Sequence, residues 1–352
     1  MLFKKKSTAL LGIDITETEI KLLELSKSGI KYRVETYAIE PLPENCVVEK
    51  SIADTDAVGE AIGRAVKRSR SRIRHGATAV SGSAVITKII TMPAELSDED
   101  MESQIHLQAD QYIPFPLEEV SLDFEVLGPT EGRESQVDVL FAASRSENVD
   151  LRIASLEIAG LEVKVVDIEA LALENTVAMM AKDLFDGGEG KIIAVADVGS
   201  TATTFSVLEN SKIVYSREQA FGGARLTEDI QRRYGLSYEE AGLAKKQDGL
   251  PDNYVPEVLE PFKESMAQQI SRAQQFFFSS SSVAHVDNLM LVGGCASIEG
   301  ISEIVEAVVD IPTIVANPFA NMSLSSRVSA RALSNDAPSL VVSCGLALRS
   351  FD

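Results

Sequence analysis

The sequence predicts an α/β protein made of two copies of one β-β-β-α unit that face each other across a cleft. Three observations predict it. Three short strand-like segments in a row open the chain, at Thr8–Asp14, Ile20–Ser26 and Lys31–Ile39, and three more recur at Ile192–Asp197, Thr203–Leu208 and Lys212–Ala220. Each triplet begins with an apolar strand ending on an aspartate: Leu11-Gly12-Ile13-Asp14 in the first, Ala194-Val195-Ala196-Asp197 in the second. The second aspartate follows the first by about half of the 352 residues, the spacing of an internal duplication.

A meander followed by a helix is not how a Rossmann unit starts, since that fold needs a helix directly after its first strand. Here the helix comes after the third strand, at Asp54–Arg70, with Val58, Ile62, Ala65 and Val66 on one face. Short strands follow Gly76, at Thr78–Ser81 and Ile86–Met92, and then a helix opens at Ser97. Ser97 with Asp100 resembles a capping box, Met101, Ile105, Gln108 and Tyr112 keep helical spacing, and Pro114 and Pro116 end the helix at Ile113. Strands at Ser121–Leu127 and Val137–Ala143, a helix at Glu147–Ala159 and a strand at Glu162–Val166 complete a compact α+β insert over 77–160. A helix at Asp167–Lys182 runs into the turn-rich Asp186-Gly187-Gly188-Glu189-Gly190 linker. Beyond the second meander the chain reads as helices at Gly223–Tyr234, Ser237–Gln247 and Val255–Ser279. A strand at Asn288–Val292, a helix at Ser297–Val308, a strand at Thr313–Val315 and a last helix at Pro338–Arg349 follow.

Composition narrows the function. Lys and Arg number 33 against 53 Asp and Glu, so the formal net charge is −20, which excludes a general nucleic-acid binder because phosphate binding needs a positive field. Cys46, Cys295 and Cys344 are too far apart for a zinc or redox pair and suit a reducing compartment, and His75, His106 and His285 form no metal-ligand spacing. The basic start, Lys4-Lys5-Lys6, precedes an apolar run that Asp14 stops too early for a signal peptide. The expectation is a cytoplasmic protein that meets a membrane only through a partner. Two features keep two readings each. Arg64, Lys67, Arg68, Arg70, Arg72 and Arg74 suit a helix C-terminus or an acidic or anionic-membrane contact, and Phe276-Phe277-Phe278 suits a buried helix end or a partner patch.

Three loops bear on chemistry. Asp14-Ile15-Thr16-Glu17-Thr18-Glu19-Ile20-Lys21 is either a plain hairpin or a turn whose N–H groups and hydroxyls bind a phosphate tail while Asp14 holds hydrated Mg²⁺. Asp197-Val198-Gly199-Ser200-Thr201-Ala202-Thr203-Thr204 offers the same choice with more donors, since Gly199 lets a ligand approach the backbone. Gly293-Gly294 joins a strand to a helix and leaves room for a flat base. Asp167 and Glu169 are candidates for positioning an attacking water, or equally an N-cap and a solvated first-turn acid.

The order of these loops resembles the actin, Hsp70 and sugar-kinase superfamily. Within it, the first 40 residues, Asp110-Gln111-Tyr112-Ile113-Pro114-Phe115-Pro116, Phe141–Val149 and Asp167-Ile168-Glu169-Ala170 resemble the PilM family of type IV pilus assembly proteins. The resemblance implies an actin-like ATPase fold: two duplicated domains around a nucleotide cleft, with an FtsA-like subdomain 1C inserted in domain I. It implies subdomain 1A at 1–76 and 161–190, with 337–352 packing back, and 1C at 77–160. Subdomain 2A then covers 191–225 and 286–336, and 2B covers 226–285.

It further implies ATP with Mg²⁺, bound by Asp14, Thr16 and Lys21 in one domain and by Asp197, Gly199, Ser200 and Thr201 in the other. Gly222, Gly223, Lys245, Gly293 and Gly294 complete the nucleotide set, and Mg²⁺ sits on Asp14 and Asp197 through water. The implied partner is the cytoplasmic N-terminal peptide of PilN, held in a 1A/1C groove along Val80–Ile90 and Tyr112–Phe115. The implied role is to link the inner-membrane complex to cytoplasmic motor components. The chain departs from the superfamily pattern at Thr16, where glycine is usual, at Gly242, where a carboxylate is usual, and at Cys295, where a third glycine is usual. An FtsA-like cell-division protein and a small-molecule kinase share the fold. The first lacks its usual basic amphipathic tail here, and the second lacks an evident base in 77–160.

Overall fold

The computed structural model describes residues 9–109, 111–184, 190–246 and 249–352. The basic start with Thr8, Asp110, the 186–189 part of the linker and Gln247 lie outside the described residues. Two compact bodies form: Leu10–Leu22 with Ala38–Leu171, and Leu23–Tyr37 with Ala172–Asp352 and Ala9.

The first body starts with β1 (Leu11–Ile15), β2 (Glu19–Ser28) and β3 (Lys31–Pro41), whose far halves, Leu23–Tyr37, belong to the other body. A small hairpin, β4 (Val47–Val48) and β5 (Ser51–Ile52), leads to α1 (Thr55–Ser69). Asp54 caps α1 by accepting the Ala57 N–H at 2.9 Å, and the chain leaves the helix through Arg70 in left-handed backbone, φ 55°. Next come β6 (His75–Val80), β7 (Val85–Pro93), α2 (Asp98–Ala109), β8 (Val120–Thr130), β9 (Arg133–Arg145), α3 (Ser146–Ile158) and β10 (Glu162–Ile168). The sheet runs β10-β6-β1-β2-β3, with β1 and β10 both parallel to β6. Val58, Ile62 and Ala65 of α1 and Leu156 of α3 are buried against Leu11, Ile13, Ile20 and Leu22; each Leu, Ile or Val so buried contributes about 1.5–3 kcal/mol.

The insert is a separate antiparallel sheet in the order β7-β9-β8 with α2 on one face. Met101, Ile105 and Ala109 pack there on Ile90, Met92, Val139, Phe141 and Ala143. Half of the expected capping box is present: the Ser97 hydroxyl accepts the Asp100 N–H at 3.2 Å and donates to the Asp100 carboxylate at 2.7 Å. The described helix covers Asp98–Ala109, and past Asp110 the Tyr112 and Ile113 N–H groups both bond the Ala109 carbonyl at 2.9 Å, ahead of Pro114.

The second body holds most of α4 (Glu169–Leu184), then β11 (Ile192–Val198), β12 (Thr203–Glu209), β13 (Lys212–Gln219), α5 (Gly223–Tyr234) and α6 (Tyr238–Lys246). Then come α7 (Glu260–Ser280), β14 (Asn288–Val292), α8 (Ile301–Val309), β15 (Thr313–Val315), β16 (Ser323–Leu324), α9 (Ala330–Asp336) and α10 (Val341–Leu348). Its sheet runs β13-β12-β11-β14-β15, an antiparallel meander extended past its first strand, β11, by the parallel strands β14 and β15. That is the order of β3-β2-β1-β6-β10, so the duplication read from the paired aspartates is present in the strand topology.

One face of this sheet packs on α5, α7 and α8 through Phe205, Val207, Leu226, Ile230, Phe262, Met266 and Ile270. The other packs on α4 and α10 through Ile193, Val195, Met290, Leu173, Val177 and Val341. Phe277 is 1% exposed and forms the expected buried helix end, while Phe276 is 47% exposed with the Arg217 guanidinium 3.8 Å over its ring. The helix expected from Ser297 begins at Ile301: Gly294–Ser297 form a 3-10 turn, and Gly300 at φ 74° breaks the chain's direction. The last helix is likewise split, with a 3-10 turn at Ala337–Leu340 before α10. Among the described residues no helix is long and apolar enough to cross a membrane.

Candidate functional site

In the first body, Asp14 lies on β1 one residue before its end and is buried at 6%, and the ammonium of Lys21, returning on β2, stands 3.5 Å from its carboxylate. Burial lifts the Asp14 carboxyl above its usual range; Lys21, then Lys50 and Arg152, oppose the rise. Thr16 closes the turn on itself, its hydroxyl donating to the Glu19 carbonyl at 2.8 Å and accepting the Glu19 N–H at 3.1 Å.

Arg152, 2% exposed on α3, spreads its guanidinium over three carbonyls: Ala79 at 2.5 Å, Asn148 at 2.9 Å and Lys50 at 3.1 Å. Burial lowers its pKa, and Glu169 and Asp14 counteract that. Asp167 is inside β10 opposite Ala79, two residues before α4 starts, so it is not an N-cap; its Oδ1 accepts the Ile168 N–H at 2.8 Å. Glu169 opens α4 and pairs with Lys50 at 3.8 Å. The strand ends thus gather Asp14, Lys21, Lys50, Arg152, Asp167 and Glu169 in one body. Arg152 and Lys50 had no signal in the sequence, because Arg152 meets Ala79 and Lys50 only through long-range folding.

In the second body the Asp197 loop is locked by its neighbours. Gly199 N–H bonds the Ala202 carbonyl at 3.0 Å, and the first N–H groups of α5, from Gly223 and Ala224, bond the Gly199 and Ser200 carbonyls at 2.9 and 2.8 Å. These contacts leave no space for a side chain at Gly222, whose Cβ would fall 2.2 Å from the Ser200 oxygen. Gly222 and Gly223 therefore fix the loop, while Ser200 is half-buried and Thr201 exposed.

Lys245, reaching across from α6, donates to Thr227 Oγ1 at 2.8 Å and to the Gly223 carbonyl at 3.3 Å, placing a cation by the first turn of α5. Gly293 adopts φ 90°, and a Cβ there would meet the Val198 carbonyl at 2.4 Å and Asp197 Oδ1 at 2.6 Å. Gly294 faces open space. Cys295 is packed behind the loop with Sγ 3.9 Å from the Gly199 carbonyl, and burial pushes its thiol up to about 11.

The donors in this body suit a phosphate chain: hydroxyls at Ser200 and Thr201 and the Lys245 ammonium, while the half-buried Asp197 carboxylate suits a cation or its waters. Among the described residues no three His, Cys, Asp or Glu side chains cluster as metal ligands.

A duplicated meander-led sheet with an aspartate at the end of each leading strand defines the actin-like ATPase fold. EutJ from Carboxydothermus hydrogenoformans shares it with a TM-score of 0.56 at 18% identity, over 96% of this chain and 89% of that one. ADP-bound MreB5 of Spiroplasma citri does so at 0.50 and 12%, over 97% and 95%. Residues 12–351 match the family of type IV pilus assembly protein PilM, and the chain belongs to that family. A structure of the PilM-PilN type IV pilus biogenesis complex superposes with a TM-score of 0.81 at 26% identity, over 98% of this chain and 99% of that one.

Proposed function

We propose that this chain is a cytoplasmic ATP-binding scaffold of type IV pilus assembly. It takes the N-terminal cytoplasmic peptide of PilN between subdomains 1A and 1C and so connects the inner-membrane complex to cytoplasmic motor components. The observation that carries this reading is the near end-to-end likeness to a PilM in complex with PilN. The division into 1A, 1C, 2A and 2B at the limits given above is part of the proposal.

The nucleotide would be held by Asp197, Ser200, Thr201, Lys245 and the Gly293-Gly294 turn in one body, and by the Asp14 turn with Lys21 in the other. Mg²⁺, when bound, neutralises phosphate charge; Asp14 and Asp197 would hold its waters. Asp167 and Glu169 are the groups proposed to orient water toward the phosphates, although the Lys50 pairing of Glu169 favours a structural use of ATP over fast turnover.

For the peptide, β7 pairs only with β9 among the described residues, so its other edge can accept an added strand. Within the insert, Lys88 covers the Tyr112 ring at 3.5 Å and Arg145 covers Phe115 at 4.0 Å. A concavity of about 500 Å³ runs along Glu119, Arg145, Glu147, Asp150 and Leu151. Titration of a fluorescent PilN N-terminal peptide, with and without Mg-ATP, tests both parts. The proposal expects saturable binding that an Ile89→Glu change on β7 weakens at least about tenfold, the scale of one displaced anchor. No saturable peptide binding would refute the docking role, and no thermal stabilisation by Mg-ATP would refute the nucleotide role.

A further inference from the structure

The basic segment at the end of α1 is not consumed by the fold. Arg64 and Arg68 share Glu40, at 2.9 and 3.6 Å, yet stay 48% and 67% exposed. Lys67, Arg70, Arg72 and Arg74 are all exposed. Lys67 and Arg72 are exposed, and among the described residues Arg74 donates to the neutral Ser71 and Ile73 carbonyls, at 3.2 and 2.8 Å. Lys164, on the adjacent start of β10, extends the positive field, with Glu162 between it and His75. Among the described residues Arg64, Lys67, Arg68, Arg72, Arg74 and Lys164 thus lie exposed around this helix end and strand start, with Glu40 and Glu162 as the carboxylates paired to them, in a chain whose net charge is −20.

Two further facts separate this patch from the strand-end cluster. It flanks the N-terminal ends of the parallel strands β6 and β10, whereas Ala79 and Asp167 sit near their C-terminal ends, roughly 16 Å away at about 3.3 Å per residue. And Arg70 occupies the left-handed position after α1, where glycine or asparagine is the relaxed choice.

We infer that the face formed by Arg64–Arg74 and Lys164 is a docking surface for anionic phospholipid headgroups. The exposed cations come from a helix end, the loop after it and a strand start, so the face presents spread charge density, which suits a fluid lipid surface better than a folded acidic partner. The acidic remainder does not cancel it, because charges more than about 8 Å away are screened at physiological salt. Each cation at such a surface strengthens binding about fivefold. The contact is therefore weak alone and effective once a membrane-borne peptide raises the local concentration.

The test uses the full chain without PilN, so it stands apart from the peptide titration. Cosedimentation is compared on phosphatidylcholine vesicles and on vesicles with about one third phosphatidylglycerol. Binding should be confined to the anionic vesicles and lost at high salt. Lys67→Gln/Arg72→Gln/Arg74→Gln should lower it about 100-fold, while Arg72→Lys/Arg74→Lys should retain it. Circular dichroism and PilN-peptide affinity of both variants should match the parent. Equal sedimentation with both vesicle types, or an unchanged glutamine variant, overturns the assignment. So does binding to polyglutamate with no binding to anionic vesicles, which would assign the face to an acidic protein.

Discussion

Lys21 holds its ammonium 3.5 Å from the Asp14 carboxylate, with the two side chains only 11% and 7% exposed. A buried ion pair of this kind contributes little net stability, but removing one partner strands the other charge at a cost of about 3–5 kcal/mol. Lys21→Met is therefore expected to destabilise the chain by that order at neutral pH. The Asp14 pKa already lies above the unfolded value of 3.8, so the folded state binds the extra proton and stability falls as pH rises from 3.8 through the folded value. Loss of Lys21 raises the folded value further and extends that loss to higher pH. Urea melts should show a larger penalty for Lys21→Met at pH 8 than at pH 5; equal penalties would mean Asp14 does not feel Lys21.

Arg152 is expected to be the most sensitive residue of α3. Arg152→Met removes the side-chain donor to the Ala79, Asn148 and Lys50 carbonyls and a cation facing Asp14 and Glu169, a loss of about 3–5 kcal/mol. Arg152→Lys keeps the charge, but one ammonium cannot span three diverging acceptors, so about 1–3 kcal/mol should still be lost. Chemical denaturation of the two variants separates these contributions. A fully stable lysine variant would show that charge alone matters there.

What the sequence made legible follows the range of the forces involved. The strand at Asn288–Val292 and the helix at Gly223–Tyr234 carry their boundaries locally, the latter between Gly222 and the left-handed Gly235. The two aspartates were visible as strand ends because the meander repeats. The start of α8 differs from the sequence reading because the Gly293-Gly294 turn runs on as a 3-10 turn to Ser297, which buries its own Cys295 and Ala296. β16 is two residues long and exists only because Ser323 and Leu324 find Arg33 and Val34. Arg152 is the clearest limit: on α3 it looks like any surface arginine, and its burial depends on acceptors 73 and 102 residues away.

The three cysteines should be silent in the native chain. Cys46, Cys295 and Cys344 are all buried, and burial pushes the last two up to about 11 and about 12. At pH 7.5 they are thiols without access to reagent. Titration with a chromogenic disulfide should give no fast-reacting thiol in the folded chain and three in guanidinium. One rapid native equivalent would show that the packing of Cys295 behind the Gly199 carbonyl opens in solution.

Gly222 and Gly294 separate loop architecture from ligand approach. Gly222 has extended backbone that any residue can adopt, φ −169°, so its intolerance is steric: a methyl would lie 2.2 Å from the Ser200 oxygen, and α5 must move off the loop. Gly222→Ala should cost about 1–3 kcal/mol of stability. It should also displace the Ser200 and Thr201 hydroxyls and reduce the thermal shift given by Mg-ATP. At position 294 a methyl meets nothing within 4 Å, so Gly294→Ala should leave the unliganded chain within about 0.5 kcal/mol of the parent. If the base lies against that backbone, the same methyl occupies its place and the Mg-ATP shift shrinks; saturating ligand at about 100 times Kd otherwise adds about 2.7 kcal/mol. Melting curves of both variants with and without nucleotide decide this. A Gly294→Ala chain with the full shift would move the base away from the Gly293-Gly294 turn, and a Gly222→Ala chain with the full shift would remove the Ser200 loop from the phosphates.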